Sequence, residues 1–131
     1  MDDFRQFIER REQAARAFCR GDGSEVVALS AENDPATFFG PDGKILEGAE
    51  AVRKDYGGGA AQFGPGGESR FEILQMGSDG DLGFWTGLQV AEVEIQGRRV
   101  PMRLRVTEVF RRENGSWKLV HRHADMGQAK A

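Results

Sequence analysis

Apolar residues recur at helical spacing along the first stretch of the chain. Phe4, Phe7, Ile8, Ala15 and Phe18 share one face, and this predicts an amphipathic helix over 3–20. Asp2 or Asp3 can cap its start, and Gly21 stops it. Ser24 reads as the N-cap of a short helix carrying Val26, Val27 and Leu29, which Asn33-Asp34-Pro35 breaks. A short strand over 36–39, a turn at Pro41-Asp42-Gly43 and a return over 44–46 follow. A third helix then runs over 49–56. Gly57-Gly58-Gly59 ends that pattern, and the glycine-rich segment Gly57–Gly67 reads either as a mobile lid or as a plain connector.

Beyond residue 70 the period changes from helical to alternating. The runs 70–76, 81–95, 100–112 and 116–123 are separated by Ser78-Asp79-Gly80, Gln96-Gly97 and Asn114-Gly115, all with turn chemistry. Long strands joined by short turns form an antiparallel meander, and strands of this length must twist and curl, with Gly83 and Gly87 as bending points. Helices first and a meander afterwards is α+β segregation. The expected architecture is a single domain over 1–131: helices closing a curved antiparallel sheet into a cone with an open mouth.

Composition narrows the function more than the fold. A chain of 131 residues needs no disulfide or metal to hold a core. Its net charge of −3 argues against a nucleic-acid partner, which calls for a basic face. No apolar run approaches the roughly 20 residues that span a bilayer. The acidic start Met1-Asp2-Asp3 is unlike a signal peptide. The single cysteine, Cys19, excludes an internal disulfide and fits a reducing, cytoplasmic setting, with Cys19 as a small core residue.

The strand over 100–112 carries the clearest candidate chemistry. Met102, Leu104, Val106 and Phe110 share one face with Glu108, and a carboxylate in an apolar row must be paired, protonated or used. Its neighbour on the last strand depends on the hairpin. A two-residue Asn114-Gly115 loop puts His121 opposite Glu108, and a three-residue loop puts Val120 there with Arg122 on the same face. Trp85 and Tyr56 are further ligand-contact candidates. His121 and His123 lack a third ligand of fitting spacing, so no metal is expected. No phosphate loop, nucleophile elbow or Cys-His pair is present, so no cofactor is expected either.

The Gly21-Asp22 break, the helix opening Glu47-Gly48-Ala49-Glu50-Ala51-Val52-Arg53 and the ending Thr107-Glu108-Val109-Phe110-Arg111-Arg112…Gly115-Ser116-Trp117-Lys118-Leu119-Val120-His121-Arg122-His123 carry a resemblance. The layout resembles the nuclear-transport-factor-2-like superfamily, of cystatin-like fold. That superfamily includes ketosteroid isomerases, SnoaL-like cyclases and the association domain of calcium/calmodulin-dependent kinase II. The resemblance implies a small-molecule pocket. It sets Gly40, in Ala36-Thr37-Phe38-Phe39-Gly40-Pro41, where the isomerase has its aspartate base, and Ala14 near its first-helix tyrosine. Glu108 then matches the oxyanion-hole acid and Tyr56 a supporting tyrosine. Arg122 and Ala124 join Glu108 on the pocket wall, which favours the three-residue loop.

Three functions follow. The first is binding of a small, largely apolar molecule without catalysis, which predicts a closed Glu108–Arg122 pair. The second is a cofactor-independent isomerase, lyase or cyclase with Glu108 as acid–base group, Arg122 as oxyanion stabiliser and Tyr56 as donor. The third is an oligomeric assembly module. A homodimer through an outer sheet face bearing Trp117, Leu119, His121 and His123 is expected in each case.

Overall fold

The computed structural model describes residues 2–127, the Asp2 side chain excepted, so the capping role considered for Asp2 lies outside the described residues. Helix α1 (Asp2–Phe18) is followed by α2 (Ser24–Leu29), β1 (Thr37–Phe39), β2 (Ile45–Glu47), α3 (Ala49–Gly59) and a 3-10 turn (Ala60–Gln62). Four long strands complete it: β3 (Glu68–Asp79), β4 (Leu82–Ile95), β5 (Arg98–Glu113) and β6 (Ser116–Met126). The α+β architecture is as expected. The sheet runs β2-β1-β6-β5-β4-β3, antiparallel throughout except that β1 lies parallel to β6. That parallel ladder pairs Thr37 with His121, Phe38 with Arg122 and Phe39 with His123.

The inner face of the sheet and the apolar stripe of α1 enclose the main core. Phe4, Phe7, Ile8, Val26, Leu29, Val106 and Phe110 are buried there. Phe4 packs edge-on against both Phe110 and Trp117, with ring centroids 5.7 and 4.9 Å apart. Gly87 serves as the expected bend. It lies opposite a bulge in β3 between Ile73 and Gln75, and a Cβ there would stand 2.1 Å from the Glu72 carbonyl oxygen.

Three expectations need correction. Ser24 is not an N-cap: α2 starts at Ser24, and the Asp22 carboxylate accepts its backbone N–H at 2.9 Å. The segment 57–67 is not a structureless connector: it holds the end of α3 and the 3-10 turn. Gly57, Gly58 and Gly59 complete α3, and Gly57 lets it approach α2 closely: a Cβ on Gly23 would stand 2.1 Å from the Gly57 carbonyl oxygen. The remainder is tied down, with Phe63 edge-on to Phe18 at 5.6 Å and Arg20 donating to the Gly67 carbonyl at 2.9 Å.

The third correction concerns β6. The β5–β6 hairpin has the two-residue loop, Asn114 and Gly115 both at positive φ, with Glu113 paired to Ser116. The ladder then slips: Phe110 pairs with Leu119 but Val109 pairs with His121, leaving Val120 as an extra residue. One extra residue reverses which side chains point inward. Trp117 and Leu119 are therefore buried in the core, so they cannot belong to an outer dimer face. Past the bulge, Arg122 and Ala124 point inward, and His121 and His123 lie outward against Phe39.

The helix packing yields a paired test. Gly23→Ala should lose about 1–3 kcal/mol by overpacking against α3. A Cβ on Gly58 meets nothing within 4 Å. Gly58→Ala should therefore gain about 0.5–1 kcal/mol as an ordinary helical glycine replacement. Urea midpoints moving in opposite directions would support this packing, and a shared direction would refute it.

Candidate functional site

Register brings the candidate side chains together. On β4, β5 and β6, Trp85 pairs with Glu108 and Glu108 with Arg122, so the three stand side by side on the inner face. Neither sequence alternative had Glu108 directly opposite Arg122. The bulge at Val120 does so from a two-residue turn. His121 is excluded from this group: its Nδ1 lies 2.8 Å from the Thr37 hydroxyl on the opposite face.

Glu108 is fully buried and its carboxylate is saturated. Oε1 accepts from Arg11 Nε at 3.0 Å and Trp85 Nε1 at 2.8 Å. Oε2 accepts from Arg11 Nη2 at 2.7 Å and Arg122 Nη1 at 2.6 Å. Burial by itself pushes this carboxyl up, but the charges of Arg11 and then Arg122 overcome it and hold Glu108 at about 2. Arg11 is raised in turn, burial being overcome by the same carboxylate.

Tyr56 reaches this cluster from α3, its hydroxyl accepting from Arg11 Nη2 at 2.8 Å. Its ring lies against Phe18 and Phe38, each centroid 4.9 Å away. The Arg11 guanidinium sits between the rings of Tyr56 and Phe71, 5.7 and 5.6 Å from their centroids, where aromatic faces favour a cation. Phe71 in turn stacks on Trp85 at 4.5 Å.

Two members of the cluster were missed from sequence. Arg11 lies four residues from both Phe7 and Ala15, within the apolar stripe of α1. A charged residue inside such a stripe is the same signal that singled out Glu108. Gln89 is the other. Its Oε1 accepts from Arg122 Nη2 at 2.6 Å, while its Nε2 donates to the Ser69 hydroxyl at 3.0 Å. Its place on the inner face of β4 was the available signal.

A cavity of about 910 Å³ opens in front of this cluster. Arg122, Tyr56 and Gln89 form part of its wall together with Phe18, Phe38, Met102 and Leu104. Cys19 also lines it, its thiol pushed up by burial. Lys44, Lys54, Asp42 and Asp55 are its other charged lining residues, with Lys44 paired to Asp55 at 2.8 Å. Glu108, Trp85 and Ala124 are fully buried behind the wall rather than part of it. Ala124 packs in the core opposite Val106, which corrects its expected place on the wall. Gly40 is on the wall, with no carboxylate of its own where the isomerase base was sought. Among the described residues no group of three or more His, Cys, Asp or Glu is placed to hold a metal ion. No helix among them is long and apolar enough to cross a membrane.

Residues 9–127 match the SnoaL-like domain family. The chain belongs to that family. The comparison with curated proteins returned no match. Among solved structures, a nuclear-transport-factor-2-like superfamily protein from Salmonella enterica serovar Typhimurium superposes on this SnoaL-like domain with a TM-score of 0.79. It covers 99% of this chain and 92% of that one at 14% identity. A candidate dehydratase of the same superfamily from Streptomyces avermitilis gives 0.70 over 86% and 87% at 23% identity. A candidate calcium/calmodulin-dependent protein kinase type II association domain from Thiobacillus denitrificans gives 0.68 over 86% and 87% at 21% identity. At such identities the likeness establishes the nuclear-transport-factor-2-like fold and nothing about ligand or reaction.

The buried carboxylate predicts a pH signature for this SnoaL-like domain. Its folded pKa of about 2 lies below the ordinary 4.5, so its contribution is complete above about pH 5 and is lost as pH falls from 4.5 toward 2. Removing it strands two buried guanidiniums, and Glu108→Gln should lose about 3 kcal/mol or more at neutral pH. Urea unfolding of both proteins from pH 7 to pH 3 checks this. The difference should stay constant to pH 5 and then shrink, and a difference that widens in acid would refute the assignment.

Proposed function

We propose that this SnoaL-like domain binds a small, largely apolar molecule in the 910 Å³ cavity, and that Glu108 takes no part in proton transfer. The carrying observation is the state of Glu108. A general acid at neutral pH needs a proton to give, and a carboxyl held at about 2 has none. A general base needs a free lone pair facing the ligand, and all four acceptor positions of this carboxylate are occupied. Glu108 lies behind Arg122, so its role is to fix that guanidinium against the cavity.

The wall fits a binding role. Phe18, Phe38, Leu46, Met102 and Leu104 offer an apolar surface, with a few polar groups from Arg122, Gln89 and Tyr56 to orient what enters. The polar groups are held in place before any ligand arrives, which lowers the ordering needed on binding.

A thermal-shift screen against apolar carbonyl compounds, carboxylic acids and steroids tests this reading. A compound at 100 times its Kd should add about 2.7 kcal/mol to stability, several degrees for a domain of this size. Ala91 lines the cavity, and Ala91→Phe should abolish the shift while the variant keeps a native circular dichroism spectrum. Bound compounds should be recovered unchanged. Conversion of one at a rate that Glu108→Gln abolishes in a still-folded protein would overturn the non-catalytic reading.

A further inference from the structure

The cluster holds more charge and more donors than it can use internally. Two guanidiniums, Arg11 and Arg122, face one carboxylate, Glu108, which leaves one positive charge uncompensated in the protein interior. The rest of the cavity lining does not supply the counter-charge, because Lys44 and Lys54 cancel Asp42 and Asp55. The Cys19 thiol, pushed up by burial, remains neutral. Gln89, the remaining acceptor to Arg122, is an amide.

The donor count agrees with the charge count. Glu108 is saturated, yet Arg122 Nε and Arg11 Nη1 are both buried without a hydrogen-bond partner among the described residues. Arg122 is 5% exposed and forms part of the cavity wall. A buried donor left without an acceptor is costly, and a buried charge without a counter-ion is more so. Arg122 is the member of the pair that borders the cavity, so an anionic acceptor beside it would supply the missing counter-charge.

Resting on the binding role proposed above, we infer that the ligand is an amphipathic monoanion, a carboxylate on an apolar body, with its acidic head at Arg122. The apolar body lies along Phe18, Phe38, Met102 and Leu104. One negative charge neutralises the cluster, whereas a second would be buried without a partner, so the site selects monoacids over diacids. Gln89 sets this selectivity through the guanidinium it holds, since an acidic residue there would supply the counter-charge from the protein itself.

Isothermal titration with 4-phenylbutyrate, its primary amide and the diacid of equal chain length tests the inference. The amide keeps a carbonyl acceptor and loses only the charge. The monoacid should bind at least about tenfold tighter than either, corresponding to about 1.4 kcal/mol. Gln89→Glu should remove the acid's advantage over the amide. Amide binding equal to or tighter than the acid in the parent protein overturns the monoanion inference but leaves the cavity as a binding site. Failure of all three probes at millimolar concentration overturns the inference together with the reading on which it rests.

Discussion

The organisation of this chain turns on one buried carboxylate. Glu108 is reached by α1 through Arg11, by β4 through Trp85 and by β6 through Arg122, so a single side chain ties the helical layer to three adjacent strands. Two guanidiniums and a carboxylate removed from water contribute little net stability, because desolvation consumes most of their attraction. What they fix is geometry. The bonds from Arg11 to both oxygens of Glu108 tie α1 to one position over the sheet.

The same arrangement sets the charge state of the buried carboxyl. The superfamily's fold is compatible with proton transfer when a pocket carboxyl is left protonated by its surroundings. Here the surroundings are cationic. Burial and positive charge act in opposite directions on Glu108, and the charges win. Cation–ring contacts add to the immobility: Arg11 is held between Tyr56 and Phe71, and Arg122 lies 5.9 Å from the Phe38 ring centroid. The groups bordering the cavity therefore behave as fixed hydrogen-bonding fixtures.

Much of the fold was legible because its signals are local. The α1 stripe, the turn pairs and the alternation along β5 each lie within a dozen or so residues. Glu108 stood out as a charge in an apolar row, and Arg11 carried the same signal on a helical period, where a search for apolar residues alone passes over it. The bulge at Val120 was not legible. Valine fits equally in a paired or an unpaired position, and nothing near Asn114-Gly115 records a slip five residues later. The family resemblance supplied the correct face for Arg122 although the turn it favoured is not the one adopted. The parallel pairing of β1 with β6 was equally hidden, since three residues meet partners some eighty positions away.

The Val120 bulge also divides β6 into two stretches with separate duties. Before it, Trp117 and Leu119 serve the packing of α1; after it, Arg122 serves the cavity. The face on which Arg122 lies thus depends on the number of paired residues between Gly115 and Arg122, and the bulge sets that number. Deletion of Val120 would straighten the ladder and leave Arg122 opposite Glu108, whereas pairing Val120 into the ladder without the bulge would set His121 where Arg122 now stands. A register slip of one residue, with no change in sequence, would turn a permanently charged position into an imidazole. The bulge, as much as the residue types around it, therefore selects which side chain of β6 borders the cavity.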